Sequence, residues 1–153
     1  MTITFRAVEP PTAADISQIV QIEKEAFGDN ALGEYTVVPM LRYGKVFTAV
    51  DEQGYAIACA YFMRNMNDTA EAYLVSIAVL PRFRGKDVGT ELLRYAFDFL
   101  AGYGITQVRL TVDPANFNAL SVYREKLGFT VVESAKDEYG AGEDRLVMVK
   151  ALA

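Results

Sequence analysis

The sequence has no histidine and only one cysteine among its 153 residues. Without histidine, a Ser-His-Asp or Cys-His catalytic machine is excluded, and so are zinc sites of the usual Cys/His type. One cysteine cannot form a disulfide within the chain. Cys59 stands inside an apolar run, AIACAYFM, where a small buried hydrophobe is expected. No stretch approaches the roughly 20 apolar residues a membrane-spanning helix needs. The opening MTITFRAVEPP lacks the apolar core and cleavage-like pattern of a secretory signal, so a soluble, cytoplasmic protein is expected. A basic surplus is missing too. The net charge is −5, which argues against a general nucleic-acid binder. Any anion site must be local and built against the overall field.

Linkers, internal repeats and low-complexity blocks are also absent, so a single domain over 1–153 is expected. What is present is core material. Hydrophobic residues make up 52%, with 9 Phe and 9 Tyr, and disorder is not expected of such a chain.

Alternation over Thr2 to Val8 predicts a strand, broken by Pro10 and Pro11. Thr12 or Asp15 can cap a helix through Phe27, with Ile16, Ile19, Val20, Glu23 and Phe27 at helical spacing. Leu32 to Tyr43 reads as a weaker helix broken near Pro39. Lys45 to Val50 and Tyr55 to Arg64 form a hairpin across Asp51-Glu52-Gln53-Gly54. Ala70 to Leu80 is a long strand, nearly continuous in apolar residues and so central. Asp87 to Tyr103 is a helix with Val88, Leu92, Leu93, Ala96, Phe97 and Leu100 as its apolar stripe. Gln107 to Val112 is a strand, Asn116 to Leu127 a helix, and Phe129 to Ala135 and Arg145 to Ala151 are the last strands. The order β-α-α-β-β-β-α-β-α-β-β predicts an α/β (α+β) fold. Its mixed, mostly antiparallel sheet has about seven strands, with about four helices on its faces.

The stretch LPRFRGKDVGTELL, Leu80 to Leu93, joins the long strand to a helix. A helix start carries unpaired amides and a positive dipole end, where anions bind. Gly85 and Gly89 let backbone come close to a ligand, and Arg82, Arg84 and Lys86 can add charge-assisted contacts. The alternative is a polar loop with cations on a solvated face. A Walker loop would need Gly-Lys-Ser/Thr and a dinucleotide fingerprint G-x-G-x-x-G; neither is present.

Arg84-Gly85-Lys86-Asp87-Val88-Gly89 resembles the coenzyme A motif Arg/Gln-x-x-Gly-x-Gly/Ala of the GNAT superfamily of N-acetyltransferases, with Asp87 in the slot of the middle glycine. Downstream, NFNALSVYREKLGF resembles that family's Asn-x-x-Ala-x-x-x-Tyr helix followed by Gly-Phe, through Asn116, Ala119, Tyr123, Gly128 and Phe129. The resemblance is strong from Ala70 to Phe129; the amino-terminal third carries no specific match.

The resemblance implies a GNAT-like fold and direct transfer of an acetyl group from acetyl-CoA to a primary amine in a ternary complex. It also implies a coenzyme lying between two splayed central strands. The acceptor is a small molecule, a polyamine, an antibiotic or a peptide amino group. The backbone at Ile77, Ala78 and Val79 would bond the pantetheine arm. Arg84, Gly85, Lys86, Asp87, Val88, Gly89 and Thr90 would hold the diphosphate. Ala119 would let the coenzyme pass. Asn116 would bond the pantetheine or acyl region, or cap its helix, with Asn118 as the lesser helper.

Tyr123 is the implied general acid for the leaving thiolate, or else a core tyrosine. Some relatives that modify protein amino termini carry Glu five residues before the motif Asn. Thr111 stands there and cannot titrate usefully, which argues against the ribosomal-protein branch. Glu71 is the candidate base, against a solvated strand-end carboxylate, and Asp113, Glu34 or a water chain are the others. Tyr35 and Tyr43 stand near the expected acceptor mouth or simply pack. The acidic balance suits a cationic acceptor. No metal is expected, and relatives imply a homodimer. The rival is a non-catalytic acyl-CoA sensor or regulatory subunit on the same fold.

Overall fold

The computed structural model describes residues 2–152. Its elements are β1 (Thr4–Ala7), α1 (Ala13–Phe27), α2 (Glu34–Tyr43), β2 (Lys45–Val50), β3 (Ala56–Arg64), β4 (Glu71–Val79), α3 (Val88–Gly102), β5 (Gln107–Val112), α4 (Phe117–Ser121), β6 (Thr130–Ala135) and β7 (Arg145–Ala151). This is the order expected from the sequence. The sheet has seven strands ordered β1-β2-β3-β4-β5-β7-β6. β1–β2, β2–β3, β5–β7 and β6–β7 pair antiparallel, and β4–β5 pair parallel. The central position of β4 follows from its apolar run. No described helix is long and apolar enough to cross a membrane.

The chain groups into two compact units, residues 1–63 with 74–96, and residues 64–73 with 97–153. In the first, α1 opens with a capping box: Thr12 Oγ1 accepts from the Asp15 amide at 3.1 Å, and Asp15 Oδ2 accepts from the Thr12 amide at 2.8 Å. The helix buries Ile19, Val20 and Glu23 as its spacing predicts and adds Ile22, whereas Phe27, expected on the same face, is 40% exposed at the helix end. α2 departs from expectation, because it runs unbroken through Pro39. Pro39 and Tyr35 both lie on the solvent side, so the Tyr35 carbonyl that loses a partner can turn to water. Val37, Met40 and Leu41 meanwhile bury the other face. Phe47 packs edge-on to Phe62 and to Tyr95, whose ring also stacks on Phe5.

In the second unit β5 pairs with β7 over six residues, from Gln107–Ala151 to Val112–Leu146. The β4–β5 ladder in this unit comprises three pairs, Glu71–Gln107, Ala72–Val108 and Tyr73–Arg109. α4 is shorter than the expected helix. After Ser121 it widens into a π turn over Val122–Lys126, ending as predicted just before Gly128, whose φ is +76°.

Candidate active site

The first unit carries the loop between β4 and α3. Pro81–Phe83 makes one tight turn, with the Phe83 amide on the Leu80 carbonyl at 2.9 Å. Gly85 and Asp87 then both take left-handed backbone, at φ +75° and +60°. Asp87 therefore adopts the conformation that the family's glycine supplies without strain. Asp is among the few residues with a side chain that tolerate it. Its carbonyl accepts the first helical bond, from the Glu91 amide at 3.0 Å. The amides of Val88, Gly89 and Thr90 thus open α3 without intrahelical acceptors. Asp87 thus caps the helix with its carbonyl.

Gly89 serves packing. A methyl built on it would stand 3.3 Å from Val79 Cγ2 and 3.4 Å from Ile77 Cδ1. Its missing side chain is what lets α3 approach the end of β4 so closely. Thr90 is buried at 7% exposure, so its amide is what it offers a ligand. Arg84 is already engaged: its guanidinium donates to the carbonyls of Val79 at 3.3 Å and Ala26 at 3.1 Å, stapling the loop. Arg82 and Lys86 are exposed and flank the Phe83 ring, 5.3 and 5.8 Å from its centroid. These two cations and the amides fit a diphosphate.

In the second unit Asn116 takes the capping role: its Oδ1 accepts from the Ala119 amide at 3.2 Å. Its side-chain NH2 stays available for donation. Ala119 is half-buried one turn on. Tyr123 lies in the π turn, where its carbonyl accepts from the Phe129 amide at 2.9 Å. Its ring meets Phe129 edge-on at 5.7 Å between centroids. Burial pushes the Tyr123 hydroxyl up in pKa, so it is protonated at neutral pH, as a proton donor must be. The ring packs as a core tyrosine would, yet the hydroxyl bonds no described residue.

Glu71 is not the solvated strand-end carboxylate that was the alternative reading. It is buried at 5% exposure. Asn65 Nδ2 donates to it at 3.0 Å, Gln107 Nε2 at 2.6 Å, and Arg109 Nε to both oxygens at 3.1 and 3.2 Å. Burial alone would raise its pKa, but these donors outweigh it and hold the carboxyl below its ordinary value. A carboxylate so engaged has little basicity to offer. Asp113 accepts from the Ala115 amide at 2.9 Å and shapes the turn before Asn116. Glu34 is exposed. Tyr35 and Tyr43 are 96% and 91% exposed, so the packing role considered for them is not realised.

Two clusters were not read from the sequence. One joins Tyr73, Thr111 and Tyr139 in the second unit, with Tyr73 Oη 2.9 Å from Thr111 Oγ1 and 3.4 Å from Tyr139 Oη. The only signal was Thr111 itself, standing where some relatives carry Glu. The other lies in the core of the first unit. There Glu23 Oε1 accepts from the Leu32 amide at 2.9 Å, and Cys59 Sγ lies 3.3 Å from Tyr61 Oη. Burial pushes the Cys59 thiol up to about 12, which leaves it inert. Among the described residues no group of three or more His, Cys, Asp or Glu is gathered as a metal centre requires.

A strand leading through left-handed turns to a helix whose first amides lie open, with a capped Asn/Tyr helix downstream, defines a class: acyltransferases that take their acyl group from coenzyme A. The chain belongs to the GNAT family of acetyltransferases and is an N-acetyltransferase. The family model described as Acetyltransferase (GNAT) family matches residues 16–129. An N-alpha-acetyltransferase of Sulfolobus acidocaldarius is 30% identical over 151 residues, covering 92% of this chain and 89% of that protein.

Among solved structures, the ribosomal-protein-S18-alanine N-acetyltransferase from Escherichia coli shares the fold. Its TM-score is 0.83 at 24% identity, over 99% of this chain and 95% of that one. So does a chain of the NatC complex bound to Gag peptide and CoA, with TM-score 0.82 at 19% identity and 100% of both chains covered.

Proposed function

We propose that this N-acetyltransferase acts on the free α-amino group of a peptide, with acetyl-CoA as donor. The coenzyme supplies an acetyl group activated as a thioester. The observation that carries the donor site is the turn before α3, where Gly85 and Asp87 take positive φ and leave the amides of Val88, Gly89 and Thr90 open. Those amides, with Arg82 and Lys86, hold the diphosphate. The backbone of Ile77, Ala78 and Val79 bonds the pantetheine arm as an added strand would. Asn116 donates its NH2 to the same arm while its oxygen caps the helix. Tyr123 delivers the proton that the leaving sulfur needs, and its protonated, unbonded hydroxyl supports that role.

The α-amine is supported by the relative of Sulfolobus acidocaldarius, named an N-alpha-acetyltransferase. The same reading carries a cytoplasmic site of action and a homodimer.

The test measures thiol release from acetyl-CoA with a panel of acceptors: peptides with free amino termini, the same peptides blocked, polyamines and aminoglycosides. Release with free peptides alone is expected. Release with polyamines or aminoglycosides alone would move the acceptor to a small molecule. Tight acetyl-CoA binding without release from any amine would favour the sensor and sink the reading.

A further inference from the structure

We propose that the outer face of α2 is where two copies of this chain meet, with their α2 helices antiparallel about Pro39. This gives the homodimer a face and rests on that part of the proposed function, not on acetyl transfer. α2 buries Val37, Met40 and Leu41. Tyr35, Pro39 and Tyr43 recur at every fourth position and line the opposite, solvent face. Tyr35 and Tyr43 are the two most exposed aromatic side chains among the described residues. Aromatic rings set in a row on a helix are contact area without a contact.

The stripe is complementary to itself. An antiparallel pairing about Pro39 sets Tyr35 of each copy beside Tyr43 of the other. Glu34 opens α2 and Arg42 lies in its last turn. Both are exposed, and neither has an ion-pair partner among the described residues. The same pairing brings Glu34 of each copy to Arg42 of the other, and it sets the two helix dipoles head to tail. A parallel pairing would oppose Glu34 to Glu34 and Arg42 to Arg42. Pro39 has no amide to give the Tyr35 carbonyl. In the antiparallel pair the Tyr43 hydroxyl of the second copy can supply that donor. Each group this face lacks is supplied by the same face, which is the property of a two-fold interface.

A covered tyrosine buries about 150–250 Å², so the four rings of the pair bring on the order of 600–1,000 Å², near the lower bound of a specific interface. The dimer is therefore concentration-dependent, not permanent.

The test is sedimentation velocity of the full chain over a range of concentrations. Wild type should pass from monomer to dimer as concentration rises through the micromolar range. Tyr35→Ser with Tyr43→Ser should weaken association about 100-fold. Glu34→Arg alone and Arg42→Glu alone should each weaken it about tenfold, because each sets like charges together twice. Mixing these two single variants is the sharpest arm. One chain then has a cation at both positions and the other an acid at both, so the mixed pair regains both ion pairs and should associate as wild type does. Melting at dilutions where every chain is monomeric separates lost association from lost folding.

A wild type that stays monomeric would overturn the inference. So would a dimer that survives the double tyrosine replacement, or single charge variants whose mixture associates no better than each alone. A rise in peptide KM from the tyrosine replacements, with association unchanged, would assign the stripe to the acceptor and overturn it too. Thiol release decides acetyl transfer separately. A dimer through this face that acetylates no amine would sink the proposed activity and leave the face standing; an active monomer would do the reverse.

Discussion

The two units handle polar chemistry in different materials. In the first, the proposed anion site at α3 is made of backbone: amides set by two left-handed residues, with two exposed cations beside them. In the second, the polar groups are single side-chain oxygens, on Asn116, Tyr123, Tyr73 and Thr111, each fixed by packing or a hydrogen bond. A backbone site tolerates substitution as long as the dihedral angles survive, which is why Asp87 can stand in a glycine slot. A site of side-chain oxygens tolerates no deletion. The buried carboxylates repeat the contrast. Glu71 in the second unit is saturated by three donor residues, one of them cationic. Glu23 in the first is fully buried, accepts from the Leu32 amide, and leaves Oε2 without a partner.

The comparison can be broken most sharply at Tyr123. Tyr123→Phe removes one oxygen and should lower kcat about 100-fold, the worth of a positioned acid, with acetyl-CoA affinity intact. An unchanged kcat would remove the acid from the account. Next come the cations of the loop. Reversing both Arg82 and Lys86 to Glu should weaken acetyl-CoA binding about tenfold and flatten its salt dependence, leaving kcat at saturation unaltered. If kcat fell instead, the division of labour would be wrong.

Glu71→Gln should cost about 1 kcal/mol of stability by loss of charge assistance to Arg109, with kcat retained at saturating substrate. Because the folded pKa of Glu71 is depressed, its contribution is present above the ordinary carboxylate value of 4.5 and is lost as pH falls through the folded value. Acid melting of the variant should therefore be shallower than that of wild type. A collapse of kcat would instead restore Glu71 as the base.

The smallest effect is expected at Glu23, whose sign is opposite. Burial raises its folded pKa, so its contribution is complete below 4.5 and declines as pH rises through the folded value. Glu23→Gln keeps the acceptor for Leu32 and should raise the melting temperature at neutral pH by a few degrees. A lower melting temperature would mean that the ionised carboxylate is what the core requires.

Local chemistry made much of this legible. The Thr12/Asp15 box, the Asn116 cap and the stop at Gly128 depend on neighbours in the chain, and the structure places them where the spacing does. Glu23 sits on the buried stripe its helical spacing assigns. Pro39 misled because a single proline outweighed a buried face that lies three and four residues around the helix. The π turn at Tyr123 has no local signal. The partners of Tyr73 lie 38 and 66 residues away. On a nearly continuous apolar strand, alternation could not tell which face Tyr73 uses. Asp87 was visible as a departure from the motif, but its meaning required the backbone angle.

The central claim is that amides at the start of α3 grip the coenzyme's diphosphate. It is tested most directly by amide proton–nitrogen spectra of the labelled protein titrated with acetyl-CoA. The account predicts that Val88, Gly89 and Thr90 shift furthest, together with Gly85 and Lys86. Saturable binding that leaves those five resonances in place would contradict it.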